Sequence, residues 1–355
     1  MRSHFLLPRG VATACAVAGA STMLNSNCSA QKLVAADYAT NSSYASGWTN
    51  GQNGGYGWGP WSTHNTGFGG SPSNSVMNAM DHTSPYNPFG VAWTLYDLQG
   101  SIPGAASPGQ CYNPPTGTDI SRAGRAFPNG SLQPGQTFST VLSNPTDRAF
   151  FRGYTLVLST GGDNLDYSKV GTEISVGIFQ YNRTGAWYTG PTFSTGGIPL
   201  LDTDTTTNGV QIDITMTGTN SYHLLMTPLG NPSLAYTEDS NTVTNSVNWV
   251  TYQLYNTDSD FYPTLAPCGP DRTDFYIKSM TVSGLNLDIQ QAGTNVLLSW
   301  PNLFTNFTLV SSTNPSVPGW SPVSTNPAII NGQNVVTNPI TGKQQFFRLQ
   351  FQQQQ

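Results

Sequence analysis

The sequence predicts an all-β protein in two sandwich modules. Three observations carry that prediction. Charged residues make up only 9% of the 355, against a usual ~25%. Ser, Thr, Asn and Gly fill the polar positions instead, as uncharged β faces require and helices do not. Val210–Thr217 alternates with period two, whereas no long stretch beyond the first thirty residues repeats with helical spacing. Finally, Gly47–Trp61 reads GWTNGQNGGYGWGPW, three tryptophans and a tyrosine among six glycines. The glycines allow tight turns, and the indoles carry enough apolar area to close one end of a core.

Residues 1–30 read as a secretory leader. Arg2 and Arg9 give the positive start, Val11–Leu24 is a short apolar run, and Cys28-Ser29-Ala30 is a small-residue cleavage site before Gln31. The apolar run is shorter than the ~20 residues of a membrane-spanning helix. Cleavage leaves 11 basic against 18 acidic residues, a net charge of −7. Nothing basic is clustered, which argues against nucleic acid as a partner. Cys111 and Cys268 remain in an oxidising compartment, where a disulfide between them is the natural expectation. It would contribute about 4–5 kcal/mol in the chain-entropy view.

Gly47–Trp61 is expected to form the entry strand and first turn. Residues 71–135 are rich in Pro, Gly, Ser and Asn, with one apolar island, Val91–Leu98, expected as a strand among long loops. From Gln136 the pattern is dense. Thr137–Leu142, Tyr154–Leu158 and Thr172–Tyr181 are rich in β-branched and aromatic residues. Asn182–Gly185 reads as a turn into Ala186–Thr189. In Val210–Thr217, residues Val210, Ile212, Ile214 and Met216 face inward and Gln211, Asp213, Thr215 and Thr217 outward. Ser221–Thr227, Val247–Asn256 and Asp274–Ser283 complete the set.

The Trp/Gly entry segment, the alternating central strands and the terminal "DFYIKSMTVSG" together resemble the concanavalin A-like jelly rolls of secreted bacterial proteins, lectin-like and glucanase-like. The resemblance covers about Ala35–Gly284, and the domain is drawn as residues 31–284. It implies an antiparallel jelly-roll sandwich whose first and last strands lie side by side. After Gly284, "NVLLSWP", "FTLVSST", "GWSPV" and "FFRL" resemble a small immunoglobulin- or fibronectin-like module. That module is drawn as residues 285–350, with a glutamine-rich tail at 351–355.

Glycoside hydrolysis needs two carboxylates flanking one bond. Laminarinase-type jelly rolls carry them on a Glu-x-Asp-x-x-Glu strand. The only glutamates here are Glu173, followed by Ile174-Ser175-Val176, and Glu238, read as lying in a loop. Neither starts that motif. His64, His82 and His223 suit no zinc spacing, no Gly-x-Ser-x-Gly elbow occurs, and no catalytic residue is assigned. The acidic pairs Asp163/Asp166, Asp202/Asp204 and Asp258/Asp260 would suit calcium, which takes carboxylate oxygens from loops; Asp202, Asp204, Asp258 and Asp260 are the candidate ligands for a structural ion. Ordinary turn chemistry explains the same pairs.

Sugar rings stack on aromatic faces while side chains hold their hydroxyls. Trp187, Tyr188, Tyr56 and Trp58 are the candidate platforms; Trp48, Trp61, Trp249 and Trp300 are assigned to the core. The functional expectation is a secreted, non-catalytic binder of polysaccharide or cell-surface glycan. A structural or adhesion component and a polysaccharide hydrolase or lyase are the alternatives.

Overall fold

In a computed structural model the chain is all-β. The structure describes residues 15–18, 33–66, 76–78, 87–97, 118–143, 152–161, 171–179, 186–189, 197–202, 206–257, 273–302, 304, 306–315, 319–341 and 344–352. The strands begin with β1 (Cys15–Ala18), β2 (Leu33–Tyr38), β3 (Ser62–Thr66), β4 (Val76–Asn78) and β5 (Trp93–Asp97). The dense part holds β6 (Thr118–Ala126), β7 (Thr137–Ser143), β8 (Arg152–Thr160), β9 (Gly171–Phe179), β10 (Ala186–Thr189) and β11 (Gly197–Asp202). It continues through β12 (Val210–Met216), β13 (Tyr222–Pro228), β14 (Tyr236–Ser240), β15 (Trp249–Thr257) and β16 (Thr273–Ser283). The last are β17 (Asp288–Ala292), β18 (Asn295–Pro301), β19 (Phe307–Ser312), β20 (Ser321–Pro322), β21 (Ala328–Ile330), β22 (Gln333–Pro339) and β23 (Gln344–Phe351).

The strands form two compact units. The larger comprises residues 34–133 and 138–282; the smaller comprises 283–355 with the pieces 1–33 and 134–137. The larger is a jelly-roll sandwich. Its seven-stranded sheet runs β11-β10-β9-β8-β15-β6-β3, and its second sheet runs β14-β13-β12-β7-β16-β5-β4 with β2 also paired to β16. The first and last strands of the unit are therefore neighbours, as the resemblance implies. Alternation fills the space between the sheets. Tyr154, Leu156 and Leu158 with Val250, Tyr252 and Leu254 face Ile212, Ile214, Leu224, Met226 and Phe275 in one core. Thr140 on β7 bonds the Tyr252 hydroxyl at 2.8 Å across that core, so the buried phenol is not left unsatisfied.

The smaller unit has two four-stranded sheets, β17-β18-β22-β21 and β1-β23-β19-β20. Val296, Leu298 and Trp300 share the buried face of β18, as period two requires, and pack with Leu309, Val336 and Phe347. Asn331 and Gly332, both at positive φ, turn β21 into β22, the Asn-Gly chemistry of a tight hairpin.

Gly47–Trp61 departs from expectation. The entry strand is β2, and the glycine-rich run is a loop folded back on it through one bridge, Ala36 to Tyr56. Gly57 shows why. Its φ is +77°, and a Cβ there would fall 2.5 Å from the Val34 carbonyl oxygen. The indoles nevertheless do what composition demands. Trp48, Trp61 and Trp93 are buried with ring centroids 4.9–6.1 Å apart.

A buried ion pair pins this loop. Arg125, on β6, donates to Asp37 on β2, to Asn53 and, through Nε at 2.8 Å, to the Gly59 carbonyl. Its guanidinium lies 4.7 Å from the Trp61 ring centroid. Asp37 also accepts from the Tyr44 hydroxyl and, at 2.9 Å, from the Tyr38 N–H. Burial lowers the Arg125 pKa and Asp37 opposes that shift. Burial, reinforced by the Asp37 hydrogen bond, pushes the Tyr44 phenol up to about 12. β6 lies inside the region read as loops, so this network escaped the sequence.

Candidate functional site

The seven-stranded sheet has a second, polar face. On β15 the core takes Val250, Tyr252 and Leu254, which leaves Trp249, Thr251 and Gln253 on the opposite side. The same alternation places Arg122 and Gly124 of β6, Thr155, Val157 and Ser159 of β8, Glu173, Ser175 and Gly177 of β9, and Tyr188 of β10 on that side. Register aligns them in transverse rows. One row runs Arg122, Gln253, Thr155, Gly177, Tyr188. The next runs Gly124, Thr251, Val157, Ser175. A third sets Trp249 directly opposite Ser159. With strands about 4.8 Å apart, the first row is roughly 19 Å long.

The polar side chains of this face are shielded. Arg122, Gln253, Thr155, Ser159 and Ser175 are all buried, while Trp249, Thr251 and Tyr188 are half-buried. Gly124 makes room for an indole at one end. A Cβ there would sit 2.5 Å from the Trp249 Nε1, so the indole lies across the glycine. The hydroxyls of Thr155 and Ser159 and the Trp249 Nε1 are buried with no hydrogen-bond partner. Each such group costs about 1–3 kcal/mol if left unmade, a state shared by the indole N–H groups of Trp48, Trp58, Trp93 and Trp300 in the cores.

Glu173 is a described acid of this face, and its oxygens are already engaged. They accept from the Thr244 N–H at 2.6 Å, the Thr244 hydroxyl at 3.1 Å and the Asn245 amide at 2.8 Å. Burial alone would raise its pKa; these donors outweigh it and hold the carboxyl below its ordinary value. Glu238 lies on β14, not in a loop as expected. It accepts from Thr189 of β10 at 2.6 Å and from Tyr236 at 3.1 Å, tying an edge of one sheet to the other. His223 contacts Asp239 Oδ1 at 2.7 Å across β13 and β14.

Of the expected platforms, two are corrected. Trp187 is buried in the core, where its Nε1–H donates to Thr206 Oγ1 at 3.2 Å. Trp58 is buried against Phe127, ring centroids 5.6 Å apart. Tyr188 lies on the polar face. Tyr56 is exposed, but on the β2 ladder of the other sheet. Trp249, assigned to the core, is half-buried on the polar face. Asp202 ends β11 in register with Ala186; Asp204, Asp258, Asp260, Asp163, Asp166, Cys111 and Cys268 lie outside the described residues. Among the described residues no three of His, Cys, Asp and Glu gather as a metal site would need.

No protein-family model matches the chain, and no curated protein matches it. Solved structures resemble it loosely. The CBM2 module of the Lactobacillus casei BL23 phage J-1 evolved Dit is 13% identical with a TM-score of 0.32, covering 46% of this chain and 69% of that one. An endo-β-1,4-glucuronan lyase from the fungus Trichoderma reesei is 10% identical, TM-score 0.34, covering 62% and 90%. The exoplasmic/lumenal domain of VIP36, in a Ca2+/Man2-bound form, is 6% identical, TM-score 0.38, covering 63% and 81%. Likeness of this degree reaches neither ligand nor reaction.

Proposed function

We propose that the larger unit is a non-catalytic binding module for a polyhydroxylated ligand, a polysaccharide or cell-surface glycan, held on the polar face of the seven-stranded sheet. One observation carries the reading: three buried polar atoms without partners, on Thr155, Ser159 and Trp249, lie beside half-exposed aromatic rings. Sugar hydroxyls both donate and accept, so they can complete such groups. The flat C–H face of a pyranose stacks on indole or phenol. Glu173 is spent on Thr244 and Asn245, so the reading assigns it a structural role.

We extend the proposal to export with cleavage after Ala30, which would remove β1 from the edge of the β1-β23-β19-β20 sheet and give secreted protein an N-terminal sequence of Gln-Lys-Leu. The binding test titrates the full chain against a panel of soluble polysaccharides by tryptophan fluorescence and affinity electrophoresis. Trp249→Ala should weaken the responding titration at least tenfold. Flat titrations across the panel would remove the proposal, and release of reducing ends or unsaturated products would replace it with catalysis.

A further inference from the structure

Asparagine followed by glycine is a chemically labile pair. Glycine has no Cβ, so its backbone nitrogen can approach the asparagine side-chain carbonyl and close a cyclic imide. The sequence holds five such pairs: Asn50-Gly51, Asn53-Gly54, Asn129-Gly130, Asn208-Gly209 and Asn331-Gly332. All five asparagines are exposed, so exposure does not rank them. The state of the attacking nitrogen does.

In four of the pairs the glycine N–H is committed. Gly51 N–H donates to the Trp61 carbonyl and Gly209 N–H to the Thr206 carbonyl, both at 2.8 Å. Gly54 N–H donates to the Tyr44 hydroxyl at 2.8 Å, and Gly130 N–H to the Phe127 carbonyl at a longer 3.3 Å. Two of the side chains are held as well. Asn50 Oδ1 accepts from the Thr63 N–H at 3.0 Å, and the Asn53 amide donates to the Trp58 carbonyl at 2.8 Å. Asn331-Gly332 carries neither restraint. It is the two-residue turn from β21 into β22, with Ile330 paired to Gln333 and φ of +50° and +76°. In such a turn the closing hydrogen bonds belong to the flanking residues, and the Gly332 N–H has no acceptor among the described residues. The Asn331 amide makes no hydrogen bond to the described residues either. A Cβ built on Gly332 would meet nothing within 4 Å, so the ring has room to close.

We infer that Asn331 is a modification site, where the folded chain converts asparagine to aspartate and isoaspartate without an enzyme. The Gly332 nitrogen gives up its proton and bonds to the Asn331 Cγ. The Cγ–Nδ2 bond breaks, and ammonia leaves with that proton. Water then opens the imide at either carbonyl, giving aspartate or its β-linked isomer. Either product puts a carboxylate into residues 289–342, which hold no Asp, Glu, Lys or Arg. The full chain is incubated at mildly alkaline pH, which helps the nitrogen lose its proton, and followed by peptide mass spectrometry with fragmentation that separates the isoaspartyl form. Breaking a backbone hydrogen bond before attack slows a site roughly two- to tenfold, so Asn331 should convert first and Asn129 next. In concentrated urea, where those bonds are lost, the five sites should convert within about threefold of one another. Asn331→Gly keeps a two-glycine turn of the same class and should remove the early acidic species. The assignment is overturned if another of the five matches or overtakes Asn331 in the folded chain, if Asn331 stays intact while the urea sample converts, or if the early acidic species persists in Asn331→Gly.

Discussion

At the scale of single residues, the polar face trades stability for binding capacity. Thr155 is buried with its hydroxyl unmatched, so it carries a desolvation cost in the free protein. Thr155→Val removes that cost at nearly constant shape. We expect a gain in unfolding free energy of up to about 1 kcal/mol in urea titrations, together with weaker saccharide binding. A loss of stability would show that the hydroxyl has a structural partner. Glu173 behaves oppositely. Its folded pKa lies below the ordinary 4.5, so its contribution is present above that value and is lost as pH falls through the folded one. Glu173→Gln should cost about 1–3 kcal/mol at pH 7, and the gap to wild type should close under acid. A gap independent of pH would assign the effect to packing.

At the scale of elements, legibility tracked alternation. β12 and β13 were readable because Ile212, Ile214, Leu224 and Met226 alternate with polar residues, and the structure buries those four. β6 reads Thr-Asp-Ile-Ser-Arg-Ala-Gly-Arg-Ala and offers no such signal. Its inward positions include Arg125, whose burial is made possible by Asp37 in a distant segment that no local pattern reveals. The same limit hid the polar face. Trp249, Thr251 and Gln253 do alternate against Val250, Tyr252 and Leu254, but the habit of burying tryptophan outweighed that parity. Conversely, the indoles of Gly47–Trp61 suggest an entry strand and first turn, whereas side-chain bonds to Arg125 and Tyr44 hold the segment as loop. Arg125→Met should therefore strand Asp37 as an unpaired buried charge. We expect a loss of about 3–5 kcal/mol, measured by chemical denaturation, and faster amide exchange across Gly51–Trp61. Pairing it with Asp37→Leu should recover part of that loss; no recovery would mean that the loop is pinned by the rings alone.

At the scale of the whole molecule, two cores with no shared members imply two cooperative transitions. The two units interleave along the chain: residues 134–137 are grouped with 283–355 and not with the flanking 34–133 and 138–282. Each core closes on its own strands, so a cavity in one should act mainly on that unit's melting. Leu298 is fully buried in the smaller core and Ile212 in the larger. Leu298→Ala should remove about 2–5 kcal/mol from the smaller unit, lowering one calorimetric peak while the other holds its temperature. Ile212→Ala should do the reverse. Because a β-sandwich of the smaller unit's size buries a lower fraction of its surface than the larger, the lower of the two peaks should be the one that Leu298→Ala moves. A single peak shifted by both substitutions would instead mean that the two cores fold as one.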